Sequence, residues 1–97
     1  MMQLTVDQPA LVRELALVAA AARTESTIPR LSQVRLEARV TGALRLTVDN
    51  LEYGLASEME ARVTEPGVIC LSAKPLLSLV GALEGEIAIH TGPSDPQ

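Results

Sequence analysis

Aromatic residues are almost absent from this chain of 97 residues: Tyr53 is the only one, and neither Phe nor Trp occurs. The core must therefore be built from Leu, Val, Ile and Ala. The same scarcity disfavours functions that need aromatic stacking, such as the base-stacking platforms of single-strand nucleic-acid modules. Cys70 is the only cysteine, so an intrachain disulfide is excluded.

Positive charge is also in short supply, with 8 Lys and Arg against 12 Asp and Glu and a net charge of −4. This balance argues against a protein that wraps DNA through overall positive charge, although it permits a local basic face. The stretch 15–22 is apolar but far too short to span a bilayer, and residues 1–4 lack the basic start of a secretory signal. We therefore expect one soluble, cytoplasmic domain.

Two stretches that lie 65 positions apart repeat one pattern, residues 4–12 and 69–77. Each contains an apolar strand end, a helix-capping Asp7 or Ser72, a proline in the first helical turn and an apolar helix. The match continues along one helical face, where Leu11 aligns with Leu76. The chain is therefore interpreted as an internal duplication.

Hydrophobic periodicity predicts the remaining elements. Apolar and polar residues alternate over 34–40 and 44–48, on either side of a turn at Thr41-Gly42, and this pattern predicts a hairpin. A third strand is expected over 53–63. The predicted helices cover 9–22 and 74–83, and short strands are expected at 3–6, 68–71 and 86–90. The order is β-α-β-β-β followed by a shorter β-α-β, which predicts an α+β fold with two helices on one face of an antiparallel sheet.

No constellation in the sequence favours catalysis. Glu58 and Glu60 share a strand face, but no apolar pocket is implied that would raise the pKa of either carboxyl. His90 has no metal-spaced partner nearby, and we expect it at a solvated or edge position. Cys70 lies between Ile69 and Leu71 and is predicted to be a buried core thiol. No phosphate-loop spacing of glycines occurs, so we predict no enzyme, metal or cofactor.

Four segments, in order along the chain, resemble the first domain of the bacterial sliding clamp, the beta subunit of DNA polymerase III. They are Leu4-Thr5-Val6 before a Leu-rich helix, Ser26-Thr27-Ile28-Pro29 before a strand, 46–52 closing the hairpin, and Ser72-Ala73-Lys74 opening the second helix. Asp49-Asn50-Leu51-Glu52 is the most specific, because the family typically carries a Thr-Asp-Leu-Glu run there.

This resemblance implies a clamp-like unit over 1–91, a duplicated β-α-β-β-β repeat whose second copy is truncated. Residues 92–97 have no structural periodicity and are predicted to be a disordered tail. The resemblance also implies that the helices line the inner wall of a ring around duplex DNA. Such a ring is a processivity factor: it tethers the replicative polymerase and is placed on DNA by a clamp loader. A ring of six such domains would require a homo-oligomer. The family's peptide pocket lies in its later domains, so none of its residues is assigned to this chain.

If the helices face a lumen, the candidates for DNA contact are Arg13, Arg23 and Lys74, which could neutralise phosphates without reading bases. Alternatively, Arg23 merely caps a helix C-terminus, and Arg13 and Lys74 are ordinary solvated residues. The arginines on strands are expected to form cross-strand ion pairs with neighbouring glutamates on the solvent face. These are Arg35, Arg39, Arg45 and Arg62.

A second functional hypothesis stays open. The chain could be an orphan interaction module that has kept the clamp-like fold without clamping DNA. Such a module would self-associate through its apolar first helix or through an open sheet edge, since exposed edges recruit partners.

Overall fold

The computed structural model describes residues 2–21, 33–49 and 54–91. These residues form seven strands and two helices. The elements are β1 (Gln3–Asp7), α1 (Gln8–Ala19), β2 (Gln33–Arg39), β3 (Ala43–Asp49), β4 (Gly54–Glu60), β5 (Arg62–Glu65), β6 (Gly67–Ser72), α2 (Ala73–Gly81) and β7 (Glu86–His90). The α+β class is confirmed, and the element order agrees with the prediction except that one predicted strand is divided into β4 and β5.

The strands form two antiparallel sheets, where the sequence had predicted one. A three-stranded sheet has the order β5-β1-β7, and a four-stranded sheet has the order β4-β3-β2-β6. The hairpin of β2 and β3 is present as predicted, with Leu36 opposite Leu46. Helix α1 packs on β1, β3 and β4, and α2 packs on α1 and β6, so the helices form one layer against both sheets.

The predicted third strand is divided at Ala61 because its two parts pair in different sheets. Its first part, β4, pairs with β3, and its second part, β5, pairs with β1. Between them, the Ala61 N–H donates to the Gly42 carbonyl at the hairpin turn, 3.0 Å away. Gly42 has a φ of 92°, a conformation that a residue with a Cβ adopts at a cost. One continuous stretch of chain thus joins the two sheets.

The two helices begin in the same way but are capped differently. The Asp7 carboxylate accepts a hydrogen bond from the Ala10 N–H at 3.3 Å, which confirms it as the N-cap of α1. Ser72 occupies the N-cap position of α2, but its side chain makes no cap hydrogen bond, so that expectation was wrong. Helix α2 ends at Gly81, two residues earlier than predicted, before the chain turns at Gly85 with a φ of 76°.

The core lies between the helix layer and the two sheets and is aliphatic, as the composition requires. Among the described residues no polar or charged side chain is buried. The buried set comes from both sheets and both helices. It consists of Met2, Leu4, Val6, Leu11, Leu15, Val18, Ala19, Val34, Leu36, Ala38, Leu44, Leu46, Val48, Ala73, Val80 and Ile87.

Two residues expected in the interior lie on the surface. Cys70 is exposed, because β6 is an edge strand and this side chain points to the outer face of the sheet, opposite Arg35. The prediction of a buried thiol was therefore wrong. Val40 is 79% exposed, because β2 ends at Arg39 and Val40 belongs to the turn.

Candidate nucleic-acid interface

The outer face of the helix layer is the surface on which the predicted DNA contacts would lie. The first turn of α1 is joined by one hydrogen bond to the last turn of α2 and by a second to the turn that follows α2. The Gln8 side-chain amide donates to the Val80 carbonyl at 3.0 Å, and the Gln8 N–H donates to the Gly85 carbonyl at 2.9 Å. These bonds fix the helices to one another, so that exposed residues of α1 and α2 share one surface.

Arg13 projects from the middle of α1, and its side chain is 70% exposed. Its Nε lies 3.6 Å from Oε2 of Glu14, whose own side chain is only 20% exposed. Glu14 is held in place by the hydroxyl of Ser57 on β4, which donates a hydrogen bond to its Oε1. Because an ion pair this exposed contributes little, Arg13 can exchange Glu14 for an external anion.

The contact between Glu14 and Ser57 could not be found from the sequence. The two residues are 43 positions apart, and neither belongs to a recognisable motif. Its effect is to keep the carboxylate of Glu14 against β4 while the guanidinium of Arg13 remains outside.

Lys74 lies in the first turn of α2 and is exposed. The dipole of α2 favours anions at that end, so Lys74 gains no stabilisation from its own helix. Arg13, Glu14 and Lys74 are the only charged residues within the bounds of the two helices, and the exposed ones are both cations. The third predicted contact, Arg23, lies outside the described residues and remains a prediction.

The rest of the helix surface is apolar or small. Leu17 on α1 and Leu79 on α2 are mostly exposed, and alanines and Ser78 occupy other outward positions. A surface of this kind offers few hydrogen-bond donors or acceptors to base edges. It can therefore neutralise a phosphate at isolated points but cannot read a sequence.

Three of the four arginines predicted to pair with glutamates, Arg39, Arg45 and Arg62, do so, whereas Arg35 lies opposite Thr47 and Cys70 and has no ion pair among the described residues. Arg45 on β3 lies 3.9 Å from Glu58, its direct cross-strand neighbour on β4. Arg39 approaches Glu37 and Glu58 at 3.7 and 3.9 Å. In the three-stranded sheet, Arg62 on β5 donates a hydrogen bond to Glu86 on β7 at 2.5 Å. These pairs form a mixed-charge outer surface that differs from the cationic helix surface.

The candidates for chemistry are dispersed. Cys70 lies on β6 in the four-stranded sheet, whereas His90 lies on β7, an edge strand of the three-stranded sheet, where it is exposed as predicted. Across the described ranges no cluster of three metal-ligating side chains occurs. Neither described helix is long and apolar enough to cross a membrane.

Comparisons with known proteins agree with this architecture. The family profile for the DNA polymerase III beta subunit, N-terminal domain, matches residues 2–92. No curated protein matches the sequence significantly.

Solved structures give strong matches. The DNA polymerase sliding clamp of Caulobacter crescentus superposes with a TM-score of 0.91 at 28% identity, covering 99% of this chain and 26% of that one. A sliding clamp of Bartonella birtlesii gives a TM-score of 0.90 at 26% identity and covers 95% of this chain and 25% of its own. A sliding clamp of Pseudomonas aeruginosa gives a TM-score of 0.79 at 30% identity and covers 93% of this chain and 26% of its own. The chain thus spans about a quarter of the length of these structures, and it belongs to the family of the DNA polymerase III beta subunit N-terminal domain.

Proposed function

We propose that this chain is the DNA-facing clamp domain of a ring around duplex DNA, a processivity factor that holds a replicative polymerase on its template. Membership of the sliding-clamp family supports the proposal. The observation that carries it is the distribution of charge. A chain with a net charge of −4 exposes only cations, Arg13 and Lys74, on its two helices.

The mechanism is topological retention rather than tight binding. A protein that encircles DNA needs contacts weak enough to exchange as it slides, and a few phosphate contacts meet that need. Arg13 suits this role because it can leave Glu14 for a phosphate and return at little cost. The apolar surface around Leu17 and Leu79 adds no base-specific grip.

This role needs no catalysis. The domain contributes a wall and an electrostatic surface, and the polymerase supplies the chemistry. The proposed partners are the polymerase and a clamp loader, and membership of the family supports both.

The electrostatic part is tested by the salt dependence of binding to a labelled duplex, measured by fluorescence anisotropy. Each phosphate contact contributes about 0.9 to the slope of log K against log salt. We expect Arg13→Ala and Lys74→Ala each to reduce the slope by about that amount, and Arg23→Ala to do the same. Ser78, exposed at the position in α2 equivalent to Arg13, offers the opposite change: Ser78→Arg should raise the slope.

Arg62→Ala is the matched control. Arg62 is 73% exposed and paired with a glutamate, as Arg13 is, but it lies on a strand. Its removal should leave the slope unchanged. An equal loss for Arg62→Ala and Arg13→Ala would mean that the chain binds DNA through charge in general, and the assignment of the helix surface would be wrong.

The topological part is tested by retention on nicked circular duplex compared with the same duplex after linearisation, each isolated by gel filtration. A ring stays on the circle and slides off the linear form. Equal retention on both forms contradicts encirclement and leaves the orphan interaction module as the better hypothesis.

A further inference from the structure

Glu14 is the one acidic residue within the bounds of the two described helices, and it lies beside the exposed cation Arg13. A carboxylate in the first turn of a helix stabilises it by complementing the dipole, but Glu14 lies beyond the first turn of α1. A negative charge at this position also repels a phosphate. Neither the helix dipole nor the attraction of DNA therefore accounts for the presence of this side chain.

The carboxylate of Glu14 is contacted on both of its oxygens. Its Oε1 accepts a hydrogen bond from the hydroxyl of Ser57 on β4, and its Oε2 lies 3.6 Å from Nε of Arg13. Ser57 lies opposite Leu46 on β3, which is fully buried, so both side chains face the helix layer. The packing of α1 on β4 thus determines where the carboxylate lies.

The contact between Glu14 and Arg13 is not one that helix geometry supplies by itself. Neighbouring residues of a helix project about 100° apart, so side chains at i and i+1 do not face each other. Arg13 is 70% exposed, whereas Glu14 is 20% exposed and is bonded to β4. The guanidinium therefore approaches a carboxylate that is held in place, and it leaves that carboxylate when it extends outward.

Lys74, the other exposed cation of the two helices, starts from a different state. It makes no ion pair with any described residue. Lys74 can therefore meet a phosphate without first leaving a carboxylate, whereas Arg13 has to exchange one anion for another. The two cations carry the same charge, but only the phosphate contact of Arg13 is opposed from within the chain.

We propose that Glu14 is an internal competitor for the phosphate that Arg13 binds, and that Ser57 is the residue that positions it. This role rests on the proposed function, in which Arg13 contacts the DNA backbone, and it identifies what limits that contact. Glu14 holds the guanidinium between phosphate contacts and gives it an anion to return to. The strength of each phosphate contact is reduced by the strength of the ion pair, which keeps the contact exchangeable as the ring slides.

Inorganic phosphate tests the competition without DNA. The Arg13 Nε–Hε resonance is followed by NMR while the unmodified chain and Glu14→Gln are titrated with phosphate at constant ionic strength. Gln keeps an oxygen that accepts from Ser57 but carries no charge, so only the competing charge is removed. We expect the dissociation constant at Arg13 to fall about twofold to fivefold, the range of an exposed ion pair. An unchanged constant overturns the proposal.

Binding to a labelled duplex at one salt concentration, measured by fluorescence anisotropy, tests the same competition on DNA. Glu14→Gln should tighten binding about twofold to fivefold. Glu86→Gln is the matched control, because it removes the same charge and releases Arg62, which is about as exposed as Arg13 but lies on a strand. Equal gains in the two variants would assign the effect to net charge and overturn the proposal.

Two double variants show whether Glu14 acts through Arg13. In the Arg13→Ala background, Glu14→Gln should change duplex binding no more than Glu86→Gln does, because the cation that it competes for is gone. In the Lys74→Ala background, Glu14→Gln should keep its full effect, because Lys74 has no contact with Glu14. Equal effects of Glu14→Gln in the two backgrounds would contradict competition at Arg13.

The positioning role of Ser57 is tested through Glu14. Ser57→Ala should tighten duplex binding by less than Glu14→Gln does, because the carboxylate remains but is free to occupy other rotamers. Ser57→Thr keeps the hydroxyl and should bind as the unmodified chain does. In the Glu14→Gln background, Ser57→Ala should add nothing. If Ser57→Ala lowers only the melting temperature and leaves DNA affinity unchanged, Ser57 is merely structural and its positioning role is overturned.

The competition and the clamp function can fail separately. If Arg13→Ala lowers the salt slope but Glu14→Gln changes neither phosphate nor duplex binding, the clamp function stands and the competition is overturned. If Glu14→Gln tightens phosphate binding at Arg13 but Arg13→Ala leaves the salt slope for DNA unchanged, the competition stands and the assignment of the helices to DNA is wrong.

Discussion

Val18 on α1 and Leu83 beyond α2 occupy equivalent positions of the repeat, yet Val18 is fully buried and Leu83 is 43% exposed. Leu11 and Leu76 differ in the same direction, since Leu11 is buried and Leu76 half-buried. The first half places α1 on three strands, whereas the principal strand contact of α2 is with β6. Equivalent side chains of the two halves are therefore buried to different extents, because their helices pack on different numbers of strands.

The position of the strands explains the difference. β1, in the first half, is the central strand of its sheet, whereas its counterpart β6 is an edge strand. A side chain on the inner face of an edge strand is covered by packing from one lateral direction only. The hydrophobic effect scales with the area removed from water, so the first half contributes more of the folding free energy.

The largest test of this comparison is the truncation of equivalent leucines. Leu11→Ala should lower the free energy of unfolding by about 2–5 kcal/mol, because it leaves a cavity in a closed core. Leu76→Ala should cost about 1 kcal/mol, because part of its surface is already hydrated. Urea denaturation followed by circular dichroism measures both.

If Leu11→Ala does not fold, Leu11→Met and Leu76→Met provide a milder pair that retains side-chain volume. Equal losses at positions 11 and 76 would show that the halves are equally packed and would break the comparison.

A smaller difference is expected at the helix caps. Asp7→Ala removes the acceptor of the Ala10 N–H and should cost about 1 kcal/mol. Ser72→Ala removes a side chain that makes no cap bond and should change the free energy of unfolding by less than about 0.5 kcal/mol. The same denaturation experiment compares them, and a larger loss for Ser72→Ala would contradict the observed cap geometry.

Local patterns made much of the fold predictable. The alternation of apolar and polar residues on the strands that carry Leu36 and Leu46 predicted the hairpin. Asp7, together with the proline in the first helical turn, predicted the start of α1. The exposure of Arg13 could likewise be anticipated from its position on one helix, and the pairing of Arg45 with Glu58 from the facing positions of two adjacent strands. In each case the determining interactions lie within one element or between adjacent strands.

Non-local placement was not predictable. The division of the third strand at Ala61 depends on β1, which lies more than 50 positions earlier in the chain. The contact between Glu14 and Ser57 depends on the packing of α1 on β4. The exposure of Cys70 follows from β6 being an edge strand, which an apolar run cannot reveal on its own.

The smallest effect on stability, and the sharpest test of the edge, is expected at Cys70. Its equivalent in the first half, Thr5, lies on the central strand β1 and is half-buried. Cys70→Ser should alter the free energy of unfolding by less than about 0.5 kcal/mol, since an exposed side chain away from the core is replaced by one of similar size.

The thiol of Cys70 should react with Ellman's reagent in the folded chain without denaturant, because the reagent reaches it directly at the surface. Thr5→Cys in the Cys70→Ser background moves the thiol to the equivalent place on β1, where strands flank it on both sides. That thiol should react more slowly. Equal rates would mean that the central and edge strands are equally accessible, and the explanation of the unequal halves by strand position would then fail.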